Sequence, residues 1–164
     1  MARKPLPAAT GAEEMLGVIP GEGRALAVAL HHWAQRQGCA VQARSGPVYH
    51  RIQYFSSSPR RSLFTIICNA QRWRVKADLH HLAQYSAVAE RACTAVKQAL
   101  ISTRSCNLCN SRCVGGSQFK LDGVAYCTCN GAGHSFEHLA EGDLGDLEAL
   151  LAQELAVVSG GRAP

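Results

Sequence analysis

The chain has 164 residues, of which 47% are hydrophobic and 18% are charged, and its formal net charge is +5. This composition is typical of a single globular domain and excludes a disordered or collagen-like protein. No apolar run approaches the ~20 residues that a membrane-spanning helix needs, and no apolar segment follows Arg3 and Lys4. The sequence therefore predicts a cytoplasmic protein that has no signal peptide and no membrane as a partner.

The first part of the chain predicts two helices. We expect residues 1–9 to be flexible and an α+β domain to occupy residues 10–102. Thr10 and Glu13 have the spacing of a capping box, which predicts a short helix at the start of this domain. Apolar residues at intervals of three and four predict a second helix over residues 24–37.

Three strands are predicted next. Apolar and polar residues alternate over residues 48–55, which is the pattern of a half-buried strand. A continuous β-branched run over residues 63–68 is typical of a central strand, and basic residues alternate strictly with apolar ones over residues 72–77. Turn-forming residues separate the three segments, so we predict a three-stranded antiparallel meander.

The second half of the chain predicts two further helices. One is expected over residues 78–102, and its first residue, an aspartate, is a favourable N-cap. The other is expected over residues 143–157 because leucines form one stripe there. We expect the segment 136–158 to pack back on the domain and residues 159–164 to be a flexible tail.

A β-hairpin is predicted within residues 103–135, which we expect to form a cysteine-rich metal-binding module. The dipeptide Asp122-Gly123 between alternating segments is a strong signal for a two-residue turn. Such a turn would place Leu121 opposite Val124, Phe119 opposite Tyr126 and Cys127 opposite Gln118. The predicted fold class is thus α+β: a three-stranded meander packed on helices, then a zinc-ribbon-like hairpin module and a C-terminal helix.

Five clustered cysteines are the candidate metal ligands: Cys106, Cys109, Cys113, Cys127 and Cys129. A Cys-x₂-Cys pair followed by a hairpin that returns two further thiols predicts a structural Zn²⁺ site with four thiolate ligands. Strand residues at i and i+2 lie about 7 Å apart, whereas thiolates on one zinc lie about 4 Å apart. We therefore expect Cys106 and Cys109 to bind with two of the other three. An Fe–S cluster and free redox thiols are the alternatives.

The charge is distributed unevenly, with +11 in residues 1–120 and −6 in residues 121–164. A cationic strand face is predicted from a set of basic residues in the meander: Arg51, Arg60, Arg61, Arg72, Arg74 and Lys76. Either nucleic acid or another phosphorylated ligand binds this face, or the acidic segment 121–164 neutralises it, above all through Glu141, Asp143, Asp146 and Glu148 at the start of the last helix. We favour neutralisation because Trp73 alternates to the core side. The face would then lack the aromatic rings that single-strand binders use.

Three strand segments stand before the cysteine cluster: Arg51-Ile-Gln-Tyr54, Leu63-Phe-Thr-Ile-Ile67 and Trp73-Arg-Val75. The cluster itself contains the patterns Cys-x₂-Cys-x₃-Cys and Leu121-Asp-Gly-x₂-Tyr-Cys-x-Cys129. In this succession of segments the chain resembles an uncharacterised family. Its members are small cysteine-rich proteins of anaerobic bacteria with an α–βββ–α unit before a C-terminal cysteine module. The resemblance covers about two thirds of the chain. It implies this fold and a bacterial cytoplasmic setting, and it implies no activity.

These observations predict a small zinc-binding protein with a binding or regulatory role toward an unknown protein or small-molecule ligand. An iron–sulfur or thiol redox protein is the first alternative, and a nucleic-acid-binding protein is the second. No motif in the sequence favours an enzyme, because neither a phosphate-binding glycine loop nor a nucleophile elbow is present.

Overall fold

The computed structural model describes residues 11–102, 117–128 and 133–160. The helices in these residues are α1 (Ala12–Leu16), α2 (Glu22–Arg36), α3 (Ser86–Arg91), α4 (Thr94–Ile101) and α5 (Glu141–Val158). The strands are β1 (Ala40–Ser45), β2 (His50–Phe55), β3 (Ser62–Cys68), β4 (Trp73–Ala77), β5 (Ser117–Leu121), β6 (Val124–Thr128) and β7 (His134–Phe136). A single 3₁₀ turn, Leu82–Gln84, lies between β4 and α3.

Two antiparallel sheets organise the described residues. Five strands form one sheet in the order β1-β2-β3-β4-β7, and β5 and β6 form a separate hairpin. The α+β class predicted from the sequence is therefore confirmed. Among the described residues, none of the helices combines the length and the apolar character needed to cross a bilayer.

The hydrophobic core lies between one face of the five-stranded sheet and the helices. Most inward residues of β2, β3 and β4 are fully buried, among them Ile52, Phe64 and Val75, and Trp73 is half-buried. From α2, the ring of Trp33 packs 6.4 Å from the ring of Phe64. A bulge where β2 meets β3 leaves Leu63 without a direct partner, and Leu63 is buried as well. The opposite face of the sheet carries no core residues in β4.

The predicted three-stranded meander was incomplete, because the sheet gains a strand at each edge. β1 has few β-branched or aromatic residues, so its sequence gives a weak strand signal. β7 is only three residues long, and it pairs with β4 from 57 positions further along the chain. Both strands are defined by pairing with a neighbour rather than by local preference.

The predicted long helix over residues 78–102 was wrong. Asp78 accepts a hydrogen bond from the hydroxyl of Ser62 at 2.6 Å and caps no helix. Further along, Ala92 and Cys93 adopt extended backbone angles that separate α3 from α4. The backbone N–H of Cys93 donates to the carboxylate of Asp146 at 2.7 Å, so α5 supplies the partner that a continuous helix would otherwise provide.

The predicted hairpin was correct in turn and in register. Leu121 lies opposite Val124, Phe119 opposite Tyr126, and Gln118 opposite Cys127. Asp122 and Gly123 both have positive φ angles, as a tight two-residue turn of this kind requires. The predicted N-cap Thr10, the terminal segments 1–9 and 161–164, and most of the cysteine cluster lie outside the described residues.

Candidate functional site

Basic side chains cover the outer face of the five-stranded sheet. Arg72, directly before β4, and Arg74 within it are exposed and Lys76 is half-buried, whereas Val75 and Ala77 of the same strand are buried. Arg51 and Arg74 both lie opposite Ile67 of the central strand, so they occupy one row across the sheet. Five cations from three strands therefore share this surface, which we call the basic face: Arg44, Arg51, Arg72, Arg74 and Lys76.

Two aromatic rings lie on the basic face, where the sequence analysis expected none. Tyr49 and Phe55 alternate with the buried residues of β2 and are half-buried. The guanidinium of Arg72 lies 5.6 Å from the centre of the Tyr49 ring and donates a hydrogen bond to the Tyr49 hydroxyl. Arg60, from the loop before β3, lies 4.7 Å from the centre of the Phe55 ring. Each ring thus stands beside a cation.

The remaining predicted contact, Arg61, is exposed in the same loop as Arg60. Its carbonyl accepts the backbone N–H of Ser56 at 2.9 Å, which closes the loop between β2 and β3. The set predicted from sequence is therefore distributed over the sheet and one adjoining loop. Arg44 was missing from it, because β1 was not predicted.

The acidic segment 121–164 reaches the basic face through Glu137, whereas two of the residues predicted to neutralise it, at the start of the last helix, bind other groups. Asp143 accepts the backbone N–H of Ala140 at 2.8 Å and the thiol of Cys93 at 3.0 Å, and Asp146 also binds Cys93. These carboxylates stabilise the junction of α3, α4 and α5. The basic face instead adjoins Asp78 at one end and Glu137 at the other, and Glu137 forms an ion pair of 3.2 Å with Arg74.

Two cavities adjoin this ion pair. A cleft of about 350 Å³ is lined by Tyr49, Ile67, Arg72, Trp73, Arg74, Glu137 and His138. A groove of about 730 Å³ follows β7 and α4, and it shares Arg74, Glu137 and His138 with the cleft. The ion pair and His138 therefore form the rim between two concave surfaces. The cleft opens on the basic face, and its lining offers aromatic, cationic and anionic groups.

Of the five candidate metal ligands, Cys127 lies within the described residues. The other four, Cys106, Cys109, Cys113 and Cys129, lie outside them. Cys127 is an exposed free thiol in β6. Over residues 11–102, 117–128 and 133–160 there is no group of three His, Cys, Asp or Glu side chains that could hold a metal ion. The three scattered cysteines, Cys39, Cys68 and Cys93, are also free thiols.

A buried polar cluster supports the hairpin. Glu154 of α5 is only 1% exposed, and its carboxylate accepts hydrogen bonds from the backbone N–H of His81 (3.1 Å), the imidazole of His81 (2.7 Å) and the hydroxyl of Tyr85 (2.5 Å). Burial, and then the negative charge of Glu154, raise the pKa of Tyr85. The neighbouring His80 carbonyl accepts the hydroxyl of Ser117, which connects this cluster to β5.

His134 lies in the same region and is 1% exposed. Its Nδ1 donates to the carbonyl of Leu100 at 3.1 Å, and its ring meets that of Phe119 edge-on. Burial lowers the pKa of His134 to about 4, although the hydrogen bond to Leu100 acts in the opposite direction. Glu154 was not predicted as a site residue, although its position in the stripe of α5 that contains Leu147 and Leu151 indicates burial.

No protein-family model matches the sequence, and comparisons with curated proteins and with solved structures give no significant match. The resemblance to small cysteine-rich bacterial proteins therefore stays a prediction.

Proposed function

We propose that the protein binds single-stranded nucleic acid across the basic face. The observation that carries this proposal is the presence of Tyr49 and Phe55 beside arginines on one exposed face of the sheet. Cations attract the phosphate backbone, and aromatic rings stack on bases irrespective of sequence. Internal neutralisation of the basic face is partial, because Glu137 forms an ion pair with Arg74 whereas Asp143 and Asp146 bind Cys93.

The spacing of the two rings favours a single strand over a duplex. Tyr49, directly before β2, and Phe55, its last residue, are six residues apart, a distance of about 20 Å in an extended chain. A single strand crossing the sheet can stack bases on both rings while its phosphates contact Arg51 and Lys76 between them. Bases inside a duplex are stacked on each other and offer no free faces to these rings.

Fluorescence anisotropy tests the proposal. We expect a labelled thymidine 12-mer to bind more tightly than duplex DNA of equal length at about 50 mM salt, with affinity falling as salt rises. The double substitution Arg51→Glu with Arg72→Glu should abolish binding, and Tyr49→Ala should reduce it by about 5- to 150-fold, the equivalent of losing one stacked base. Arg91→Glu is the matched control, because Arg91 is exposed at the end of α3 and belongs to no strand of the sheet.

The proposal fails if wild type and the double variant bind the 12-mer equally, or if Arg91→Glu is as damaging as the double substitution. Duplex DNA bound as tightly as the single strand would argue for an electrostatic surface without base stacking.

We also propose that the cysteine cluster holds a structural Zn²⁺ through four of Cys106, Cys109, Cys113, Cys127 and Cys129. The hairpin supports this proposal. Its turn and its pairing register are those predicted for a hairpin that returns Cys127 toward the other cysteines, and Cys127 is an exposed free thiol. Phe119 and Leu121 are 3% exposed, so the hairpin is anchored to the domain rather than held by a metal alone. Zinc bound there would stabilise the chain on either side of the hairpin.

Metal analysis of the purified protein tests the zinc proposal. We expect about one zinc per chain and no absorbance near 400 nm, whereas iron together with such absorbance would indicate an Fe–S cluster. Cys109→Ser should abolish zinc binding. Cys39→Ser is the control, since Cys39 is half-buried beside the core and burial raises its pKa to about 11. Equal zinc content in wild type and Cys109→Ser would contradict the assignment.

A further inference from the structure

We infer that the cleft at Arg74 and Glu137 recognises a guanine base of the bound strand. This inference rests on the proposed function, and it adds a base preference to a surface that otherwise binds any sequence. Three observations carry it: the size of the cleft, the groups that line it, and the adjacent carboxylate and guanidinium at its rim.

The cleft is large enough for one base and has the groups that hold one. Its volume is about 350 Å³, and the Tyr49 ring and the guanidinium of Arg72 form one part of its lining. A base that enters beside them gains a stacking surface, because guanidinium planes stack on bases as aromatic rings do. Ile67 and Trp73 contribute apolar surface to the same cleft.

The rim of the cleft carries an acceptor next to a donor. Nη1 of Arg74 lies 3.2 Å from Oε1 of Glu137, and both side chains are about half exposed, at 48% and 54%. The carboxylate accepts two hydrogen bonds side by side, and the guanidinium has further N–H groups beyond the one that faces Glu137. The hydrogen bond with Tyr49 raises the pKa of the Arg72 guanidinium, and the charge of Glu137 adds to this effect, so Glu137 also acts on Arg72.

Guanine is the base that complements this pair. Its N1–H and N2–H₂ groups are adjacent donors that a carboxylate can accept together, and its O6 and N7 are acceptors for an arginine. Adenine and cytosine each place a ring-nitrogen acceptor beside their amino group, so that acceptor would face the carboxylate. Thymine has a single N–H between two carbonyl groups. Only guanine satisfies Glu137 with two donors.

Anisotropy titrations with four labelled nonamers test the inference. Each nonamer is thymidine except at its central position, which is guanine, inosine, adenine or cytosine. We expect the guanine nonamer to bind about tenfold more tightly than the adenine and cytosine nonamers, within the range of one bidentate contact. Inosine lacks the N2 amino group and should give an intermediate affinity.

Two charge-matched variants separate base recognition from general electrostatics. Glu137→Gln removes the bidentate acceptor, so it should abolish the guanine preference and leave binding of the adenine nonamer equal or tighter. Glu141→Gln removes the same charge from an exposed residue at the start of α5 that lines neither cavity. It should keep the preference. Both residues are exposed, so thermal melting curves should match those of wild type.

The inference is overturned if wild type binds all four nonamers equally or if Glu137→Gln keeps the guanine preference; binding of every nonamer would still support the proposed function. If the protein binds none of the four nonamers, both the proposed function and the guanine inference are refuted. Guanosine monophosphate as competitor distinguishes a strand from a free nucleotide, because the strand also contacts Arg51 and Lys76. Displacement of the guanine nonamer by an equal concentration of the monophosphate would overturn recognition within a strand.

Discussion

Acidification should destabilise the protein through His134, which is buried and neutral in the fold. Burial lowers its pKa from the ordinary value of 6.5 to about 4. Because this pKa is lower in the folded protein than in the unfolded chain, the unfolded chain takes up the proton first as pH falls. The free energy of unfolding therefore decreases from pH 6.5 down to about 4, and His134 contributes no pH dependence above about pH 7.5.

The expected loss follows from the two pKa values. A difference of this size corresponds to about 3 kcal/mol once the pH is below both values, and about 2.5 kcal/mol of it is lost by pH 4.5. That is a large part of the 5–15 kcal/mol by which a domain is usually stable. Burial also lowers the pKa values of His31 and His50, so the total acid sensitivity of wild type should exceed the share of His134.

Urea unfolding at pH 7.5, 6.5, 5.5 and 4.5 measures the effect. In His134→Asn the amide nitrogen can replace Nδ1 as the donor to the Leu100 carbonyl, but it does not titrate. The variant should be less stable than wild type at pH 7.5 and lose about 2.5 kcal/mol less on going to pH 4.5. His138→Asn, at an exposed position after β7, should follow the wild-type profile. Parallel pH profiles for wild type and His134→Asn would refute the argument.

Three further substitutions test the packing around the hairpin. Tyr85→Phe removes a donor to the buried carboxylate of Glu154 and should lower the free energy of unfolding by about 1.5–3 kcal/mol in urea titrations; a change below 0.5 kcal/mol would contradict the role of the cluster. Gly123→Ala, at a φ of 81°, should cost about 1 kcal/mol, whereas Gly142→Ala in the open first turn of α5 should leave the melting temperature unchanged or raise it. Phe119→Ala should cost about 3–5 kcal/mol and increase hydrogen exchange over residues 117–128; unchanged exchange there would show that the hairpin does not depend on this ring.

Local signals predicted the parts of the fold that local physics determines. The Asp122-Gly123 turn fixes the register of its hairpin within a few residues, so pairing positions could be predicted from the sequence. The same holds for β4, where alternation alone separates exposed Arg72 and Arg74 from buried Val75. In both segments the deciding interactions lie within one or two strands.

Interactions between distant residues explain what could not be predicted. The break between α3 and α4 depends on Asp146, and the 3₁₀ turn after His81 depends on Glu154, 73 positions away. Both partners come from α5, and no local pattern at residues 78–102 reveals them. The apolar residues of that segment satisfied a helical period even though the chain is not one helix.

The candidate site was predicted in part. Alternation over residues 72–77 identified three cations, and alternation over residues 48–55 was also predicted, but the outer row of residues 49, 51, 53 and 55 was not matched to the same face of the sheet as those cations. Matching the two rows would have placed Tyr49 and Phe55 beside the arginines. The pairing of Arg74 with Glu137 had no sequence signal, because it depends on β7 joining β4.

The late arrival of β7 has a consequence for synthesis of the chain. The segment that covers the free edge of β4 begins 57 residues after Ala77, so at about 5–20 residues per second the ribosome needs roughly 3 to 11 seconds to supply it. During this time β4 presents unpaired backbone groups to other nascent chains. Arg72, Arg74 and Lys76 repel a second copy of the same strand, so the charges of the basic face also protect the growing polypeptide from aggregation before its sheet is complete.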